Sequence, residues 1–375
     1  MATIGYLTTT LFDFGAIKNL PTEIKALGIR RPLLVTDAGV QSAGIAEQVL
    51  NHLEPADVTI FPDTPSNPTE EAVREGVIAY RGGGCDGVIA LGGGSPIDLA
   101  KGVALAATHE GPLEHYAAIR GGISKITANV APVIAIPTTA GTGSEVGRGA
   151  LLNLTNGSKL ALISPYLIPK RAICDPELTL KLPPLLTAAT GIDALTHCIE
   201  TFLSPLVNPP AEAIALDGAM RAWRYIERAV VDGGDRDARW EMMMAALEGG
   251  LTFQKGLGAV HSLSHAAGAL RAPVLHHGML NGVFLPHILR FNAGHVGEKY
   301  ARLREVFMLD NNADLADAVT RLLRNLGMPM TLSEMGFRQE HIAATVERAM
   351  ADHSNATTPR LPSAVDFDML LRSAL

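Results

Sequence analysis

Asp193 and His197 stand four residues apart in Gly191-Ile192-Asp193-Ala194-Leu195-Thr196-His197, and His261 and His265 repeat that interval in Ala259-Val260-His261-Ser262-Leu263-Ser264-His265. Residues four apart on a helix share a face one turn apart, a spacing that lets two side chains reach one ion. His276-His277-Gly278 follows soon after Pro273, and six of the twelve histidines fall within residues 261–295. Taken singly, each histidine is more readily a helix cap or a hydrogen-bonding core residue than a ligand. One carboxylate with up to three imidazoles from the same half of the chain predicts a divalent transition-metal site, Fe2+ first and Zn2+ second.

A second group of residues suits phosphate. Leu91-Gly92-Gly93-Gly94-Ser95 follows the buried-strand run Gly87-Val88-Ile89-Ala90-Leu91 and precedes a helix expected to start at about Pro96. Glycines let a backbone approach a pyrophosphate, and a helix N-terminus offers unpaired N–H groups with a partial positive charge. Pro96 suits the first helical position, where its missing N–H costs nothing. The run is not GxGxxG, and Asp37 precedes it instead of following by about 20 residues. A tight strand–helix turn explains the glycines equally well. The second loop, Pro137-Thr138-Thr139-Ala140-Gly141-Thr142-Gly143-Ser144-Glu145, tips the balance, because a turn does not need so many hydroxyls. Asp37, at the end of the strand at 33–36, is placed to accept from a ribose 2′-hydroxyl and to repel a 2′-phosphate, which predicts NAD over NADP.

These groups require two kinds of scaffold. The first half alternates strand-like and helix-like runs: strands at 32–36, 58–61, 87–91 and 133–136, and helices opening at Thr69 and spanning 97–107. Such alternation predicts an α/β fold with a parallel sheet covered on both faces. Past Pro183-Pro184 the apolar residues recur at helical spacing, with helices expected over 187–203, 210–228, 236–255, 278–291, 297–307, 313–326 and 338–351. The expected domains are 1–182 and an all-α 183–375, with a ligand cleft between them. With 47% hydrophobic and 18% charged residues, a large core is expected. A net charge of −7 without basic clusters argues against nucleic acid. Three cysteines without a CxxC, no signal-like start and no long apolar run point to a cytoplasmic protein without a membrane partner. The apolar composition also suggests a homodimer or larger homo-oligomer.

Taken together, GGGSPIDLAK at 92–101, PTTAGTGSE at 137–145, DPELT at 175–179, TAATGIDALTHCIE at 187–200 and GLGAVHSLSH at 256–265 resemble the iron-containing (group III) alcohol dehydrogenase family. The likeness runs over nearly the whole chain. It implies an N-terminal Rossmann-like domain, a helical C-terminal domain and an active site between them. It implies metal ligation by Asp193, His197, His261 and His277, with His265 as the histidine beside the nicotinamide and the proton relay. Gly93, Gly94, Ser95 and Asp98 match the family's phosphate loop; Thr138, Thr139, Thr142 and Ser144 match its second cofactor loop; Lys159 matches the lysine near the nicotinamide ribose. The chain departs from the family's HPLG and PHG, reading His265-Ala266-Ala267-Gly268 and His276-His277-Gly278. Gly278 favours His277 as fourth ligand, with His276 as the alternative.

Within the family, FDFGA at 12–16, IRRPLLVTDAGV at 29–40, AATHEG at 106–111, GSEVGRGAL at 143–151, CIETFLSP at 198–205 and LHHG at 275–278 resemble the 4-hydroxybutyrate dehydrogenases. The activity this implies is oxidation of a small primary alcohol, 4-hydroxybutyrate to succinic semialdehyde, by hydride transfer to NAD. Arg148, then Arg271, is the candidate anchor for the substrate carboxylate. The competing readings are another short-chain alcohol or diol dehydrogenase, a maleylacetate-type reductase, and a non-redox enzyme resembling dehydroquinate synthase.

Overall fold

The computed structural model describes residues 8–53, 58–154 and 159–375, without the side chains of Lys159 and Leu160. The chain forms two compact units, one ending at Lys181 and the other continuing from Leu182.

The first unit runs β1 (Thr9–Phe12), α1 (Leu20–Ala26), β2 (Pro32–Val35), α2 (Ala38–Ser42), α3 (Ile45–Leu50), β3 (Thr59–Phe61), α4 (Glu70–Gly82), β4 (Gly87–Gly92), α5 (Gly94–Ala106), β5 (Val133–Pro137), β6 (Gly149–Asn153), β7 (Lys159–Ile163) and β8 (Arg171–Cys174). Six strands form a parallel sheet in the order β1-β8-β5-β4-β2-β3, and β6 with β7 makes a separate antiparallel pair. Successive side chains of a strand point to opposite faces, and two cores result. Leu33, Val35, Val88, Ala90 and Val133 pack with Val73 and Val77 of α4 and Ile97 and Val103 of α5. Leu34, Ile89, Leu91, Ile134 and Ile136 pack with Leu20, Ile45 and Val49 on the other face. Burial on both faces explains why β2, β4 and β5 read as continuous apolar runs.

The second unit runs α6 (Pro184–Leu203), α7 (Pro209–Val231), α8 (Arg236–Leu251), α9 (Ala259–Gly268), α10 (His277–Asn292), α11 (Lys299–Val306), α12 (Leu315–Asn325), α13 (Ile342–Met350) and α14 (Ala364–Ser373). Every residue of α6 from Thr187 to Leu203 is buried, and the helix packs against α7, α8 and α10. That burial takes Asp193, His197 and Glu200 into the interior, where each polar group needs a partner. Side chains of Asn208, Asp235, Asp314 and Ser363 cap α7, α8, α12 and α14. Among the described residues no helix is long and apolar enough to cross a membrane. The expected fold class, a parallel α/β unit followed by a helical one, holds.

Candidate functional site

Strands β2, β4 and β5 are neighbours, so their carboxyl ends bring Asp37, Gly93 to Ser95 and Thr138 to Ser144 to one edge of the sheet. The strand order also reverses there, with β3 on one side of β2 and β4 on the other. Open α/β sheets bind ligands at such a switch point. Helix α5 begins at Gly94, two residues earlier than expected, which makes Pro96 its third residue. The proline is still harmless, because N–H groups of the first turn have no intrahelical acceptor. The N-cap, Gly93, contributes no side-chain bond, so those N–H groups remain available to a phosphate.

Close contact between the two loops explains their glycines. A Cβ on Gly94 would lie 2.8 Å from Thr142 Cγ2, and one on Gly93 would lie 3.3 Å from Thr139. Gly92 takes φ 148°, and a Cβ there would lie 2.6 Å from Pro96 and 3.4 Å from Asp37 Oδ2. Asp37 therefore does two things. Its Oδ1 caps α2, accepting from Val40 N at 2.9 Å, while Oδ2 stands beside the glycine run. Ser95 Oγ donates to the Ser66 carbonyl at 2.6 Å, and Thr142 Oγ1 accepts from Ser144 N at 3.3 Å. Asp98 accepts from Ser144 Oγ at 2.6 Å and from Leu151 N at 2.9 Å, which ties α5 to the second loop. The side chain of Lys159 lies outside the described residues.

Sequence reasoning missed Lys101. Its fully buried ammonium donates to the carbonyls of Ser144, Gly147 and Gly149 and to Ser144 Oγ, at 2.7–3.0 Å. Burial pushes its pKa down to about 8, against the charges of Asp98 and Glu145. The available signal was a lone charge in the otherwise small and apolar run Leu99-Ala100-Lys101-Gly102-Val103.

In the helical unit, α6, α9 and α10 bring Asp193, His197, His261 and His277 together, with one donor atom of each within 4.8 Å of the others. Asp193 Oδ1 lies 3.4 Å from His197 Nε2, 3.5 Å from His277 Nε2 and 3.8 Å from His261 Nε2. Donors about 2.0–2.2 Å from a common ion stand roughly 3–4 Å apart, so the set fits a transition metal in both chemistry and spacing. Asp193, His197 and His261 are buried, whereas the His277 side chain is 30% exposed, so the group is reached from the His277 side. His277 stands in this group and His276 does not; His276 occupies the N-cap position of α10 without a side-chain capping bond, and its Nδ1 is buried with no hydrogen-bond partner.

Burial alone would favour a neutral Asp193, but the neighbouring His197 first and then His277 hold its carboxyl well below the usual range. Asn281, one turn beyond His277, donates to Asp193 Oδ1 at 2.7 Å and is itself held by the Ser264 hydroxyl. His265 stacks on His277 with ring centroids 5.4 Å apart, and its Nδ1 lies 3.0 Å from Asp352 Oδ2. Burial raises the Asp352 carboxyl, yet His265 and His353 together bring it far down. Asp352 and His353 were also missed, since nothing in their spacing relates them to α9. Arg148 is exposed just ahead of β6, and Arg271 is exposed in the segment between α9 and α10.

Comparison with known proteins adds an independent line. The family profile described as "Iron-containing alcohol dehydrogenase" matches residues 8–176, and that described as "Fe-containing alcohol dehydrogenase family, C-terminal" matches residues 187–375. The chain is 52% identical to the 4-hydroxybutyrate dehydrogenase of Cupriavidus necator, with 100% of each chain covered. A crystal structure of 1,3-propanediol oxidoreductase superposes with a TM-score of 0.93 at 34% identity, covering 100% of both chains. Sulfoacetaldehyde reductase from Bifidobacterium kashiwanohense, in complex with NAD+, gives 0.88 at 27% identity, covering 100% of this chain and 98% of that one.

Proposed function

The chain belongs to the iron-containing alcohol dehydrogenase family and is an alcohol oxidoreductase, and from that premise we propose that it oxidises 4-hydroxybutyrate to succinic semialdehyde with NAD, reversibly. The observation that carries the substrate is the 52% identity, over the full length of both chains, to a 4-hydroxybutyrate dehydrogenase.

In this reading Asp193, His197, His261 and His277 hold a divalent ion, Fe2+ in keeping with the family and Zn2+ as the alternative. NAD lies along Asp37, Gly93, Gly94, Ser95, Asp98, Thr138, Thr139, Thr142, Ser144 and Lys159. When bound, the ion supplies Lewis acidity toward the substrate oxygen and the nicotinamide supplies the hydride acceptor. The protein's own groups do the rest. The first turn of α5 binds the pyrophosphate through its free N–H groups. Asp37 Oδ2 accepts from the ribose 2′-hydroxyl, and its charge disfavours a 2′-phosphate. His265, oriented through Nδ1 by Asp352, takes the proton that leaves the alcohol. Arg148 grips the substrate carboxylate, with Arg271 as the alternative. The enzyme works in the cytoplasm as a homodimer or larger homo-oligomer, a state that light scattering measures directly.

A substrate panel with NAD and NADP tests the reading. The expected result is a preference for NAD and a higher kcat/KM for 4-hydroxybutyrate than for butanol or 1,3-propanediol. Equal turnover of the diol would move the assignment to diol oxidation, and a preference for NADP would remove Asp37 from its role.

A further inference from the structure

Glu200 has no part in the mechanism above, yet it sits on the same buried helix as two of the proposed metal ligands. It lies seven residues beyond Asp193 and three beyond His197 on α6, so all three share one face. Its carboxylate gathers three donors from the start of α9. Oε2 accepts from Gly258 N at 3.0 Å and lies 2.6 Å from His261 Nδ1, while Oε1 accepts from Val260 N at 2.8 Å. Gly258 is the N-cap of α9 and offers no side chain, so Glu200 supplies that helix's cap from across the helix pair. The fit is tight: a Cβ on Gly258 would lie 2.8 Å from Glu200 Oε1.

The donor count points to the ring nitrogen of His261 that carries hydrogen. An ionised carboxylate only accepts, and the two backbone N–H groups can only donate. His261 Nδ1, at 2.6 Å from the same oxygen, must therefore be a donor as well. With hydrogen fixed on Nδ1, the neutral ring keeps its lone pair on Nε2, the atom that faces Asp193. We propose that Glu200 is the positioning residue of the metal centre: it locks His261 in the Nδ1–H form, aims Nε2 at the ion and thereby sets metal affinity. This rests on the metal reading given above and deepens it. Partners of this kind typically change metal affinity by roughly 10- to 100-fold.

Glutamine separates this role from simple packing. It keeps the shape of Glu200 but replaces one acceptor with an NH2 group, which must face either Val260 N–H or the pair Gly258 N–H and His261. In the first orientation His261 donates to a neutral amide oxygen, which polarises the ring less than a carboxylate does; in the second it has to accept on Nδ1, which moves its hydrogen to Nε2 and closes that atom to an ion.

The test titrates metal-free protein with Co2+, following the visible absorption of the bound ion, for wild type, E200Q, H261A and the double variant. Glu200→Gln is expected to weaken Co2+ binding by roughly 10- to 100-fold and to add no further loss in the His261→Ala background, because its effect passes through that ring. Affinity within twofold of wild type, or an equal loss in both backgrounds, overturns the proposal. Co2+ binding that Asp193→Ala leaves unchanged instead overturns the metal centre itself, and the role of Glu200 with it. Should E200Q fail to fold, nitrogen NMR of the Zn2+-loaded wild type decides the matter. The His261 signals, identified by their loss in H261A, should show hydrogen on Nδ1, and hydrogen on Nε2 refutes the assignment.

Discussion

At the scale of single residues, the pairing of Asp193 with His197 in the proposed metal group was legible for a mechanical reason, whereas His277 rested on the family likeness alone. A helix repeats its face every three to four residues, so Asp193 with His197, and His261 with His265, announce a shared direction before any fold is known. Asn281 and Glu200 obey the same rule, at four residues past His277 and three past His197, but an amide and a second carboxylate carry no ligand signal of their own in the sequence. Asp352 had no such signal, since it reaches His265 from a separate segment 87 residues further on. The substrate anchor belongs to this scale too. Arg148 is exposed ahead of β6, and a guanidinium that pairs with a carboxylate by two charge-assisted bonds contributes on the order of 1.5–3 kcal/mol. Arg148→Ala should accordingly raise KM for 4-hydroxybutyrate by roughly tenfold or more while leaving KM for butanol within about twofold. Equal losses on the two alcohols, in steady-state kinetics, remove Arg148 from the role and pass it to Arg271.

At the scale of elements, polarity pattern decided what could be read. Strands β2, β4 and β5 have apolar runs on both faces, whereas β1 and β8, Thr-Thr-Leu-Phe and Arg-Ala-Ile-Cys, are as long as β2 but too mixed in polarity to show a period. Helices α9 and α14 escaped the helix set, and length is not the reason, since α11 and α13 are shorter and were expected; α9 is buried on every side, which leaves no polar face to show a period. Packing between elements also leaves a titratable mark. Glu248 on α8 faces Asp217 and Arg221 of α7. Burial first, and then the hydrogen bond and charge of Asp217, push its carboxyl up to about 8 against the pull of Arg221. A raised carboxyl pKa means the folded chain keeps a proton that the unfolded chain has already released. Stability therefore falls as pH rises from the ordinary value of 4.5 to about 8. Glu248→Gln is neutral throughout, so its Tm advantage over wild type should widen steadily between pH 5 and pH 8. Scanning calorimetry reads this directly, and parallel Tm curves for the two proteins would mean that Glu248 is ionised in the fold at pH 5.

At the scale of the whole molecule, alternation followed by unbroken helical periodicity was enough to foresee a parallel α/β unit and a helical one. What the pattern could not give was the strand order, because parallel pairing joins segments far apart in sequence. The two units also divide the proposed ligands: the glycine and threonine loops belong to one, the aspartate and histidines to the other. A ligand that binds only the folded state stabilises it by about 2.7 kcal/mol at a hundredfold excess over its Kd. Chelation should therefore speed amide exchange in α6, α9 and α10 while leaving β2, β4 and β5 unchanged, as measured by hydrogen–deuterium exchange. Uniform acceleration across both units would argue against a metal confined to the helical one.

Strand β1 pairs along its whole length with β8, Thr9 beside Arg171 through Phe12 beside Cys174. One edge of the sheet is thus made from the earliest and the latest strands of its unit. During synthesis at about 5–20 residues per second, β1 leaves the ribosome roughly 10–30 s before its partner exists. Through that interval Leu11 and Phe12 have no neighbouring strand to shelter them, so this edge of the sheet closes last.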